Sequence, residues 1–150
     1  MTSVLRKVGR RSIGELVLLI AAFTIRAALL VLLRVVRFGA LRRVGTTFAR
    51  TWPLGASGDA DAAFEHRVAW AVATAAALLP AENTCLADAL TAHWLLEAGG
   101  CRSTIRFGVA TTPPHALRAH AWVEANSGIV VGAAGATGVA TLDAVRSVRL

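Results

Sequence analysis

At Gly99-Gly100 the spacing of the apolar residues changes period. Before that point Phe64, Val68, Val72, Ala75 and Leu79 recur as on one face of a helix, and Pro80 stops the run. A second helix is predicted from Asn83 or Thr84, either of which can cap it, to about Ala98. Beyond the glycines, "STIRFGVA" (Ser103 to Ala110) and "AHAWVEA" (Ala119 to Ala125) alternate. The turn residues Asn126 to Gly128 then lead into "IVVGAA" (Ile129 to Ala134), a third strand. "TTPPHALR" (Thr111 to Arg118) reads as a loop and "ATLDAVRS" (Ala140 to Ser147) as a short terminal helix. Helices first and an antiparallel sheet afterwards make an α+β fold.

Charge divides the chain differently. Residues 1–50 carry ten basic side chains and one acid, Glu15, a balance of +9; residues 51–150 carry six and eight, a balance of −2. "TWPLGASGDAD" (Thr51 to Asp61) has a linker's composition, and Asp59 or Asp61 can cap the helix after it. The expected organisation is therefore a basic aliphatic helical segment over 1–50, for docking or a membrane surface, and a folded domain over 51–150. Nucleic acid is a poor partner for the first segment. Leu16 to Leu33 is nearly all apolar, and the only aromatic residues within 1–50 are Phe23, Phe38 and Phe48.

The apolar run is not a clean signal peptide or span. Arg26 and Arg34 interrupt it, and no small-residue cleavage site follows cleanly. A span needs roughly 20 residues with few charges, and a central arginine costs about 2.5–3.5 kcal/mol. Glu15, Arg26 and Arg37 are each eleven residues apart, which returns them to within about 20° on a helix, as one polar stripe. A bend at Gly39 or Gly45 would make this a helix pair. Packing on the globular part is the leading reading. A helix on a membrane surface comes next, and a true span last.

Two cysteines do not make a disulfide framework, so reduced thiols and an intracellular site are expected. Cys85 falls on the first turn of the second predicted helix. Unpaired N–H groups and the positive end of the dipole favour thiolate there, and such cysteines act as nucleophiles. The simpler alternative is a small buried filler, and Cys101 reads that way. A nucleophile needs a base. His66 is mid-helix among charges, His93 is more than two turns along from Cys85, and His115 lies in the proline loop. His120 opens a strand and shares its face with Trp122 and Glu124. A histidine at that place can meet a helix N-terminus packed across the sheet. Asp88 suits the helix dipole, and Trp94 and Trp122 read as packing. No Cys-x-x-Cys, His-Glu-x-x-His, Walker or dinucleotide motif points to a metal or cofactor.

"CLADALTAHWLLEAGG", "IRFGV" and "RAHAWVEA" in this order and spacing resemble the transglutaminase-like cysteine-protease core. The nearest resemblance is to the stand-alone leader peptidases of lasso-peptide biosynthesis clusters. It runs over residues 84–125, and the basic N-terminal segment and short chain are similar too. It implies a transglutaminase/papain-like fold, a catalytic helix on a small antiparallel sheet. It also implies a hydrolase with Cys85 as nucleophile and His120 as its partner. The substrate would be a ribosomally made leader–core precursor peptide, cut before macrocyclisation by a separate ATP-dependent cyclase. A separate leader-recognition protein would be needed as well. The expected location is the cytoplasm, with membrane-surface contact at the inner face as an alternative.

The family pattern also has an aspartate on the strand after the histidine, and here the pattern fails. Pairing through Asn126–Gly128 sets Ala125 against about Ile129 and His120 against about Ala134, in "GAAGA" (Gly132 to Ala136), which has no carboxylate. Glu124 would sit roughly 7 Å from His120 along the strand. Asp143, water or a backbone carbonyl are the other candidates. The oxyanion is expected at the N–H groups that open the Cys85 helix, with Asn83 as a further donor. The missing aspartate keeps open a non-catalytic binder of the same fold, and a Cys-His acyltransferase remains chemically close.

Overall fold

The computed structural model describes residues 12–35, 62–82, 84–112, 116–133 and 140–141. Three helices precede four strands: α1 (Ile13–Val35), α2 (Ala62–Leu78), α3 (Cys85–Ala98), β1 (Thr104–Thr112), β2 (Ala116–Ala125), β3 (Gly128–Val131) and β4 (Ala140–Thr141). The strands form one antiparallel sheet in the order β3-β2-β1-β4. The α+β expectation holds.

Three of the helix ends have a local cause. The Ser12 hydroxyl accepts from the Glu15 N–H while Glu15 accepts from the Ser12 N–H, a reciprocal cap that opens α1. Pro80 follows the end of α2. Gly100, at φ +78°, turns the chain out of α3. Gly99 permits a close approach, because a methyl group there would lie 2.2 Å from Cε1 of Phe64.

α3 is the central helix. Ala87 and every residue from Ala89 to Leu96 are buried. It lies between α1 and α2 on one side and the sheet on the other, mostly against β2. Leu18, Leu19, Ala22, Ile25 and Leu29 of α1 join Val68, Val72 and Ala75 of α2 and Leu90, Leu95 and Leu96 of α3 in one apolar cluster, which also takes in Ala121 and Val123 of β2. Full burial of one such aliphatic side chain is worth about 1.5–3 kcal/mol. Cys101 is in that cluster, as expected of a filler.

The sheet departs from expectation at three points. "TTPPHALR" is mostly strand, since β1 and β2 stay in register as far as Thr112↔Ala116. Only residues 113–115 are left to connect them, and Pro113 has no N–H for a further rung. Ala140 and Thr141 are not helical; they pair with Val109 and Gly108 and cover the free edge of β1. Residues 142–150, including Asp143, lie outside the described residues. Finally, Ala125 faces Gly128 and Glu124 faces Ile129, one residue short of the expected offset. An irregularity between Val123 and Glu124 restores that offset, so Val123 faces Val131.

One member of the polar stripe on α1, Arg26, turns inward. Arg26 is buried, and its Nε lies 2.6 Å from Asp88 Oδ1. The guanidinium Nη1 also donates to the carbonyl of Leu79. Asp88 is thus more than a dipole-complementing charge. Arg37 lies outside the described residues.

Candidate active site

Cys85 is the first residue of α3. Thr84 precedes it at φ −94°, ψ 0°, and its hydroxyl makes no cap to the helix N–H groups; it donates instead to Asp88 Oδ2 at 2.9 Å. The helical ladder opens with Asp88 N–H to Thr84 O, 2.9 Å. The N–H groups of Cys85, Leu86 and Ala87 therefore lie ahead of the first rung, as the orphan donors of a helix start do. Cys85 is half-buried at the edge of the apolar cluster. Asn83, expected as an extra oxyanion donor, lies outside the described residues.

His120 is half-buried on β2, opposite Gly108 of β1. Its ring stacks on that of Trp122, with centroids 6.2 Å apart and planes 17° from parallel. Nε2 lies 2.9 Å from the carbonyl oxygen of Gly132. A carbonyl only accepts, so Nε2 carries the hydrogen, and in the neutral ring the lone pair is on Nδ1. Asp143 lies outside the described residues; of the orienters expected from sequence, a backbone carbonyl is the one supplied among them. The chain can present it because Gly132 sits at φ +91°; a methyl group there would fall 2.8 Å from Cβ of Trp122.

Glu124 does not hold the imidazole. Its Oε1 accepts from Trp122 Nε1 at 2.9 Å and its Oε2 from Arg106 Nε at 3.1 Å. The indole hydrogen bond is the main reason its carboxyl titrates below the usual carboxylate range; Arg106 adds to the effect and partial desolvation opposes it. The site wall on β2 is therefore a chain of contacts: His120 on Trp122, Trp122 to Glu124, Glu124 to Arg106. Trp122 is packing, as expected, and is buried while it shields one face of the imidazole.

The structure mounts Cys85 and His120 on two elements that pack together, α3 and β2. The imidazole Nε2 is directed to Gly132, so any exchange with the sulfur would use Nδ1. Two other histidines are among the described residues. His66 is exposed on α2. His93 is buried, and its Nδ1 shares a 2.7 Å hydrogen bond with Ser103 Oγ. Burial holds His93 below the ordinary imidazole range, with the Glu97 charge opposing. His115 lies outside the described residues.

Two features escaped the sequence reading. Gly132 was seen only as part of a segment without a carboxylate, since a backbone acceptor leaves no residue-type signal. Glu65, buried on α2, accepts from the N–H of Ser127 at 3.0 Å and from its hydroxyl. That contact ties α2 to the β2–β3 turn, and its signal was available: Glu65 stands three residues before Val68, on the apolar face.

Residues 25–144 match the sequence model of a family described as Transglutaminase-like superfamily. No curated protein matches the chain, and no solved structure does.

Proposed function

The chain belongs to the transglutaminase-like superfamily, and from that premise we propose that it is a cysteine peptidase removing the leader of a ribosomally made lasso-peptide precursor. The superfamily includes both cysteine peptidases and acyltransferases. The observation that carries the peptidase reading is the fixed tautomer of His120. With Nε2 donating to Gly132 O, Nδ1 is the nitrogen able to take the thiol proton of Cys85. The sulfur attacks the scissile carbonyl, and the N–H groups at the start of α3 hold the oxyanion. The imidazolium returns its proton to the leaving amine, which departs with the core peptide. Water then attacks the thioester, with Nδ1 as base, and frees the leader carboxylate and the thiol.

The substrate class comes from the sequence resemblance over residues 84–125. On this reading a separate leader-recognition protein presents the precursor, and a separate ATP-dependent cyclase closes the freed core. The test is mass spectrometry of precursor incubated with the full chain and the recognition protein. Cleavage lost in Cys85→Ser and in His120→Gln supports the peptidase. A serine variant that cuts as fast as the parent removes it. With an amine present, an amide product in place of the free acid would make the chain an acyltransferase.

One observation favours a second reading, a non-catalytic peptide binder: the carboxylate nearest along the strand, Glu124, is committed to Trp122 and Arg106. Iodoacetamide labelling separates the two. A binder's Cys85 reacts no faster than an ordinary thiol at neutral pH.

A further inference from the structure

Helix α1 has two apolar faces. Leu18, Leu19, Ala22, Ile25 and Leu29, with Arg26 among them, are buried against the protein. On the far side Ile13, Val17, Ile20, Val31 and Val35 are exposed, between 46% and 82%. At 100° per residue these five fall within an arc of about 60°, opposite the buried face. Thr24 falls within the same arc, and the exposed Ala28 lies about 20° beyond its edge. A surface helix of a soluble domain presents charged and polar residues there instead. Over 23 residues the exposed strip runs about 33 Å, and an apolar strip of that length marks a contact surface.

We propose that this strip lies in the surface of an anionic lipid bilayer, with the α1 axis parallel to the membrane plane. Charge selects the occupant. The sequence before α1 carries Arg6, Lys7, Arg10 and Arg11, and Arg34, Arg37, Arg42, Arg43 and Arg50 lie at its other end and beyond, with no acid in either group. Cations at both ends of an apolar strip complement acidic lipid headgroups, each worth about 1 kcal/mol near such a surface. An acidic protein surface would satisfy the cations but not 33 Å of aliphatic side chains between them. A second copy would bring the same cations together.

The helix has the length and hydropathy to cross a bilayer, but its inner face and Arg26 are already used. Crossing would break the Arg26–Asp88 pair and strip α1 from α2 and α3. Lying flat leaves every one of those contacts intact. The inference is independent of what Cys85 and His120 do.

Sedimentation of the full chain with vesicles tests it. Binding is expected to phosphatidylglycerol–phosphatidylcholine vesicles, weaker to phosphatidylcholine alone, and reduced by salt. Val17→Glu with Val31→Glu should weaken partition about 100-fold while leaving the thermal transition and Cys85 labelling as in the parent. Arg34→Gln with Arg37→Gln should weaken it less and flatten the salt dependence. No sedimentation with acidic vesicles, or unchanged sedimentation of the valine variant, would overturn the assignment. So would a lipid-free dimer that the valine variant dissolves, because the strip would then belong to a second copy.

Discussion

Arg26 and Asp88 form an ion pair at 2.6 Å across 62 residues of sequence, with the arginine side chain 1% exposed. The pair joins the middle of α1 to the first turn of the helix that begins at Cys85. The guanidinium Nη1 also donates to the Leu79 carbonyl, and the second carboxylate oxygen accepts from the Thr84 hydroxyl. An isolated pair of this kind adds little net stability, because both charges were better solvated in the unfolded chain. Its removal one partner at a time is another matter.

Arg26→Met leaves the Asp88 carboxylate facing an apolar wall, and the expected loss is about 3–5 kcal/mol. Arg26→Met with Asp88→Leu should recover most of it, since neither charge is then stranded. Urea unfolding of the two variants and the parent measures the difference. Equal losses in the single and double variants would mean that packing, not the stranded charge, sets the cost.

Gly132→Ala is expected to damage the site more than the fold. The residue needs φ +91°, and a methyl group would press on Cβ of Trp122. The strain is worth about 1–3 kcal/mol. Relief moves the carbonyl that holds Nε2 of His120, and a misplacement of about 1 Å can cost 100-fold in rate. Steady-state kinetics on the precursor should show the loss in kcat, with KM little changed.

The parts legible in the sequence were those with local punctuation. Pro80 and Gly99-Gly100 bracket α3 and put Cys85 on its first turn; the structure makes it the first residue. Strict alternation gave His120, Trp122 and Glu124 one face of β2. What escaped was long-range or carried by the backbone. Arg26 and Glu65 each find a partner 62 residues away, and a charge inside an apolar stripe announces burial without naming what neutralises it. β4 is two residues long, too short for any period to show. The direction of Gly132 O depends on the positive φ of that residue, and the carbonyl it presents leaves no residue-type signal.

Glu124→Gln separates a support of the site wall from an orienter of the base. Glutamine keeps an oxygen for Trp122 Nε1 but loses the charge facing Arg106. Activity at neutral pH should stay within about threefold of the parent if Gly132 O alone holds the imidazole. A loss near that of His120→Gln would return Glu124 to the catalytic set. The sign of its titration follows from the lowered pKa. Its contribution is present above the unfolded carboxylate range and is lost as pH falls through the lower folded value. The side chain is 35% exposed, so solvent screening keeps that contribution small.

His93 sets a pH dependence of the opposite origin. It is buried beside Ser103, and desolvation, partly offset by the Glu97 charge, keeps it below the ordinary imidazole range. The unfolded chain therefore binds a proton at about pH 6.5 that the folded chain refuses until lower pH. Stability should fall as pH drops through that window and level off below the folded value. Above about pH 7 both states are neutral and the residue contributes no slope. In His93→Gln the amide can keep a hydrogen bond to Ser103 Oγ without titrating. Thermal melts between about pH 8 and pH 5 should show a smaller decline in the variant than in the parent. The other histidines are common to both proteins and cancel in the comparison. Parallel curves would show that His93 takes up its proton as readily in the folded state as in the unfolded one.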